Sequence, residues 1–150
     1  MRAHGFSEDG MTLHRTEVVH TSIAAAPQRV IDWLSDMNNW ATWAPWIQSV
    51  PRISTREWTL ATEAGTMQGR FVEPNSFGVL DHDVSLESGE TAFNSMRVLP
   101  NGSGSELVMV LFQRPSMSRE EFQRDVQAVT DDLARMRWAA PSTIGSSLNE

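Results

Sequence analysis

The longest periodic stretch of the chain lies near its end. Phe122, Val126, Val129, Leu133 and Met136 recur at alternating steps of four and three, which is one apolar face of an α-helix. Ser118 is placed as its N-cap, and Glu121 stands three residues on in the capping-box arrangement. Glu120 and Glu121 suit the positive helix end, and the pairs Glu120/Arg124 and Asp131/Arg135 are spaced to support the solvated face. Pro141 is expected to end the helix.

Between residues 47 and 113 the pattern has period two, broken by turn residues. Ile47–Ile53 reads as an edge strand because Pro51 cannot donate to a ladder. Glu57–Glu63 and Met67–Val72 follow, the first with Trp58 and Leu60 in phase, the second with Met67, Gly69 and Phe71. Gly78–Glu87 alternates most clearly, with Gly78, Leu80, His82, Val84 and Leu86 on one face and Asp81 and Asp83 on the other. Ser88-Gly89 turns it into Thr91–Leu99, and residues 100–104 turn that into Glu106–Phe112.

Before residue 47 the chain predicts one strand, Thr12–Ile23, and then a helix opened by Pro27 with Val30, Trp33, Leu34 and Met37 as its stripe. Trp40, Trp43 and Trp46 follow at three-residue spacing, which fits a second short helical or 3₁₀ element. Segments 1–11 and 141–150 are expected to be flexible, leaving 12–140 as the domain. The order is α+β: a curved antiparallel sheet wrapped around a long C-terminal helix, with two short helices after the first strand. A strongly curved sheet leaves space between itself and the helix it grips.

Composition narrows the class of partner. One hundred and fifty residues fit one domain with a real core. A net charge of −7 argues against nucleic acid or anionic membrane as partner. The absence of cysteine removes disulfide and thiolate chemistry. No segment approaches a membrane span or a signal peptide, so a cytoplasmic protein is the plain expectation.

Several segments then resemble the START-like, helix-grip superfamily (the SRPBCC proteins), in particular its polyketide cyclase/dehydrase group. They are Ile23-Ala24-Ala25-Ala26-Pro27 leading to Val30 and Trp33, Asn39 through Trp46, Phe77 through His82, and Pro100 through Glu106 before the helix at Ser118. The resemblance spans roughly residues 12 to 140. It implies a cavity under the terminal helix for a small hydrophobic ligand: lipid, polyketide-like or aromatic. Superfamily members include lipid carriers, hormone receptors, cyclases and a co-chaperone, so no catalytic residues carry over.

Side-chain phase nominates the rest. His82 shares the helix-facing side with Leu80 and is the candidate acid or base, with Asn94 on the neighbouring arm, near Val84 or Ser85, as its polar companion. The candidate ligand-binding set is Trp46, Trp58, Phe71, Leu80, His82, Met96, Phe122, Val126, Val129 and Leu133. Glu17 shares its phase with Val19 and Ile23, whereas Arg70 opposes Phe71 and is expected in solvent. His14 and His20 lie about 20 Å apart along one strand and cannot share an ion. No metal motif, phosphate loop or nucleophile elbow is present, and no cofactor is called for. Trp138 falls on the opposite face of the terminal helix, as an exposed ring or a homodimer contact. Three functions stay open: ligand binding, a cyclase or dehydratase using His82, and a protein-interaction or co-chaperone-like domain.

Overall fold

The computed structural model describes residues 6–8 and 11–146, with side chains from residue 11 to residue 141. The sheet has the order β3-β9-β8-β7-β6-β5-β4, and every neighbouring pair is antiparallel. Its strands are β3 (Thr16–Ile23), β4 (Ile47–Ser49), β5 (Glu57–Thr62), β6 (Gly65–Phe71), β7 (His82–Ser85), β8 (Thr91–Asn101) and β9 (Gly104–Phe112). Strands β4 to β9 form a meander, and β3 returns to pair with the last of them. The helix α1 (Pro27–Leu34) and a 3₁₀ segment (Met37–Thr42) connect β3 to β4, and α2 (Arg119–Ser146) closes the concave face. This is the α+β architecture with an antiparallel sheet that the periodicities predict, in the helix-grip form that the resemblance implies.

Local chemistry explains most boundaries. Pro27 occupies the first turn of α1, where its missing N–H costs no helical bond, and Val30, Trp33 and Leu34 form the buried stripe. At α2 the capping box closes both ways: the Glu121 amide donates to Ser118 Oγ at 3.1 Å, and the Ser118 amide to Glu121 Oε2 at 3.4 Å. Phe122, Leu133 and Met136 are buried, while Val126 and Val129 are half-buried.

The structure departs from several expectations. The strand predicted over Thr12–Ile23 is two: β2 (Met11–Leu13) pairs with β1 (Phe6–Glu8), and β3 pairs with β9. The chain changes sheets at His14-Arg15, which explains why Leu13 loses the burial phase of Val19 and Ile23. The small β1–β2 hairpin also lies inside the segment expected to be flexible; residues 1–5, 9 and 10 are outside the described residues, as are 147–150 of the tail.

Pro141 does not end α2, which runs to Ser146. Fully buried Ala140 anchors the turn before it, and the proline deprives only the Arg137 carbonyl of its i+4 partner. On the same helix Arg135 pairs with Asp132 rather than Asp131, whose carboxylate takes Gln127 at 2.9 Å.

The strand predicted over Gly78–Glu87 keeps regular pairing only across His82–Ser85. Upstream, two side chains replace a ladder bond. The Leu80 amide still donates to the Met96 carbonyl at 2.9 Å, but the Met96 amide donates to Asp81 Oδ1, also at 2.9 Å, and His82 Nδ1 donates to the Leu80 carbonyl at 3.0 Å. Gly78, at φ 73°, makes the approach possible: a Cβ there would lie 2.3 Å from the Val98 carbonyl oxygen. Finally, Asn94 pairs with His82, not near Val84 or Ser85, because the loop of residues 86–90 centres the hairpin on Ser88.

Candidate functional site

One end of the grip is filled with rings. The edge of the Trp40 indole meets His82 with centroids 5.2 Å apart, Phe71 closes on the same imidazole at 5.5 Å, and Trp43 lies 4.9 Å from Trp40. Gly69 leaves room for Met37, whose Cε would sit 3.0 Å from any Cβ placed there. His82 is 3 % exposed. Burial holds its imidazole below the ordinary histidine range, outweighing the Leu80 hydrogen bond and the Asp81 and Asp83 charges, so the ring is neutral at pH 7. Trp58, Phe71, Leu80, Met96 and Leu133 from the candidate set are buried in the same core. The Nε1 groups of Trp33, Trp43 and Trp58 are buried there without a hydrogen-bond partner, each a desolvation cost that the packing offsets.

Asp81 lies across the sheet from His82, as the alternation predicts. Burial raises its carboxyl, but hydrogen bonds from Arg97, the Met96 amide and Ser95 together hold it below the usual carboxylate range. Arg70 likewise faces outward, 3.6 Å from Glu57.

The other end is open. A cavity of about 570 Å³ lies between the start of β3 and the first half of α2, lined by Leu13 through Glu17 and by Arg119, Phe122, Gln123, Val126 and Gln127. A second, of about 310 Å³, is lined by the ends of β8 and β9 and another flank of α2, with Asn94, Leu111, Gln113, Pro115 and Asp125 among its walls. His14 contributes to both. Phe122 and Val126 are the members of the ligand-binding set that reach a cavity here, and Glu17 joins them; Asn94 reaches the second. Half-buried Val129 packs against the core.

Between the two ends α2 is tied down by polar contacts. Trp46 is 44 % exposed, and its Nε1 donates to Asp132 Oδ2 at 3.1 Å. Arg135 pairs with the other oxygen of Asp132 and donates from Nε to the Trp43 carbonyl at 3.1 Å. Burial raises the Asp132 carboxyl despite these donors. Trp138 is 76 % exposed at the far end of α2, with the Arg137 guanidinium 5.6 Å from its ring.

Sequence reasoning passed over Gln113 and Asp125, though each had a signal. Gln113 continues the inward phase of Leu107, Met109 and Leu111, and Asp125 stands between Phe122 and Val129 at helical spacing. Burial, opposed by Arg114 and reinforced by Asp132, raises the Asp125 carboxyl above the usual range. Among the described residues no three His, Cys, Asp or Glu side chains gather as a metal site, and no helix is long and apolar enough to cross a membrane.

A curved sheet gripping a capped C-terminal helix, with cavities beneath that helix, defines a START-like domain. Residues 15–137 match the family described as "Polyketide cyclase / dehydrase and lipid transport", and the chain belongs to that family. Its fold is therefore of a class that generally binds hydrophobic ligands. Solved structures agree on the fold. A START superfamily protein from Mycobacterium smegmatis superposes with a TM-score of 0.69 at 11 % identity, covering 85 % of this chain and 98 % of its own. The protein XoxI from Bacillus cereus gives 0.65 at 19 % identity, covering 84 % and 94 %. An uncharacterized protein from Bacillus thuringiensis gives 0.67 at 16 % identity, covering 84 % and 98 %. No curated protein matches the sequence.

Proposed function

We propose that the chain binds a small hydrophobic molecule (lipid, polyketide-like or aromatic) between the sheet and the first half of α2. The supporting observation is the cavity of about 570 Å³ against Phe122 and Val126, at the end of the grip that the aromatic cluster does not fill. Apolar burial provides the attraction: two fused aromatic rings removed from water contribute several kcal/mol at roughly 25 cal/mol per Å². The family description, which includes lipid transport, points the same way. The proposal is for binding alone, because the His82 imidazole is walled by Trp40 and Phe71 and has its Nδ1 committed to the Leu80 carbonyl.

Val126→Trp tests the reading. Val126 is half-buried at the edge of the core and lines the cavity, so an indole there occupies ligand space. Calorimetric titration with naphthalene should show binding to the native chain and at least about a tenfold loss in the variant, equivalent to roughly 1.4 kcal/mol. Unchanged affinity in a variant that melts like the native chain would place the ligand elsewhere.

A further inference from the structure

The cavity beside the first half of α2 has charged walls as well as apolar ones. Its helical wall is Arg119, Phe122, Gln123, Val126 and Gln127, which steps of three and four bring to one face. Glu120 and Glu121 lie off that face, and Asp125 borders the smaller cavity instead. The helical wall therefore carries one arginine and no acid.

The Arg119 side chain is exposed and unanswered. Arg56, Arg70, Arg97, Arg114 and Arg135 each hold a carboxylate. Among the described residues no ion pair or hydrogen bond engages the Arg119 guanidinium. Across the cavity, His14 and Arg15 add donors and Glu17 adds one acid. In a chain of net charge −7, this wall has two arginines to one glutamate. Phe122 and Val126 follow Arg119 by about 5 and 10 Å along the helix axis, so a charged end at Arg119 leaves a two-ring body beside them.

We infer that the ligand of this cavity is an amphipathic carboxylate, held at its charged end by the Arg119 guanidinium and along its apolar body by Phe122 and Val126. The inference rests on the ligand-binding reading above and names the chemical class that the site takes. The guanidinium offers a carboxylate two parallel N–H donors in one plane, a match that neither an alcohol nor a bare ring can use. Glu17 repels the anion and limits the gain. An amine meets two arginines and is disfavoured.

Calorimetric titration of the full chain compares three probes of one ring system: naphthalene, 2-naphthoate and 2-(aminomethyl)naphthalene. At low salt naphthoate should bind about fivefold more tightly than naphthalene, and the amine no more tightly than naphthalene. The naphthoate advantage should shrink as ionic strength rises, because the site is open to solvent. Arg119→Gln removes the charge at an exposed position and should bring the naphthoate-to-naphthalene affinity ratio to about one. Glu17→Gln should widen the same ratio about twofold.

Nuclear magnetic resonance on the native chain gives a second readout: naphthoate, but not naphthalene, should shift the Arg119 Nε–Hε signal. Equal affinity for naphthoate and naphthalene, tighter binding of the amine, or a naphthoate advantage that survives Arg119→Gln would each overturn the inference and leave the apolar site standing. Failure of all three probes to bind would remove the ligand-binding reading and this inference with it.

Discussion

The two ends of the grip are built from the same alternating strands, yet one is closed by rings and the other is not. At the closed end Trp40, Phe71 and His82 meet edge to face, Trp43 lies tilted against Trp40, and Trp58 is 1 % exposed. At the open end the cavities beside α2 have Glu17, Asn94 and Gln113 among their walls, with Asp125 on the helix itself. Rings pack closely here and leave His82 3 % exposed. Short polar side chains cannot pack so closely, and the space that remains is available to a ligand. The difference teaches that a helix-grip core need not be uniform: packing closes one region, and cavities remain beside the first half of α2.

Truncation gives the largest effect on this comparison. Trp58→Ala should destabilise the chain by about 3–5 kcal/mol, as large-to-small changes in close-packed cores do. Phe122→Ala, whose ring already borders a cavity, should cost distinctly less in the same denaturant titration. Equal losses would mean that the two ends are packed alike.

A smaller effect is expected where the ends join. Trp46→Phe keeps an aromatic ring, though a smaller one, at this 44 % exposed site and removes the 3.1 Å hydrogen bond to Asp132, so a loss of about 1 kcal/mol is expected from one charge-assisted bond. No change in unfolding midpoint would show that Arg135 alone holds that carboxylate.

The smallest effect is electrostatic and changes sign with pH. Burial raises the Asp125 carboxyl, so the folded chain holds its proton more tightly than the unfolded chain does. Stability from this group is present at low pH and is lost as pH rises through the folded pKa. Asp125→Asn should therefore raise the melting temperature slightly at pH 7. That gain should shrink as pH falls and vanish below the ordinary aspartate value of 3.8, where the native carboxyl is protonated in both states. A gain that persists at low pH would assign the effect to something other than ionisation.

Much of the closed end was legible because it depends on phase. His82 does share a face with Leu80, Asp81 does lie on the other, and the α2 stripe does meet the core. What phase cannot report is whether an inward side chain meets another ring or a space. Phe71 and Asn94 are both register partners of His82, one on each neighbouring strand, yet Phe71 packs on the imidazole and Asn94 reaches a cavity wall. That outcome depends on Trp40 and on the placement of α2, both distant in sequence. The β1–β2 hairpin was illegible for a related reason. Its pairing is local to eight residues with polar and glycine content, and no buried stripe announces it.

The central claim is that a small apolar molecule enters at the first half of α2 and not at the aromatic end. Backbone amide chemical shifts recorded during a naphthalene titration test this most directly. Saturable shifts should appear at Thr16, Glu17, Phe122 and Val126, while Trp58, Phe71 and His82 stay within experimental scatter. Shifts centred on Trp58, Phe71 and His82, or no saturable shift at all, would contradict it.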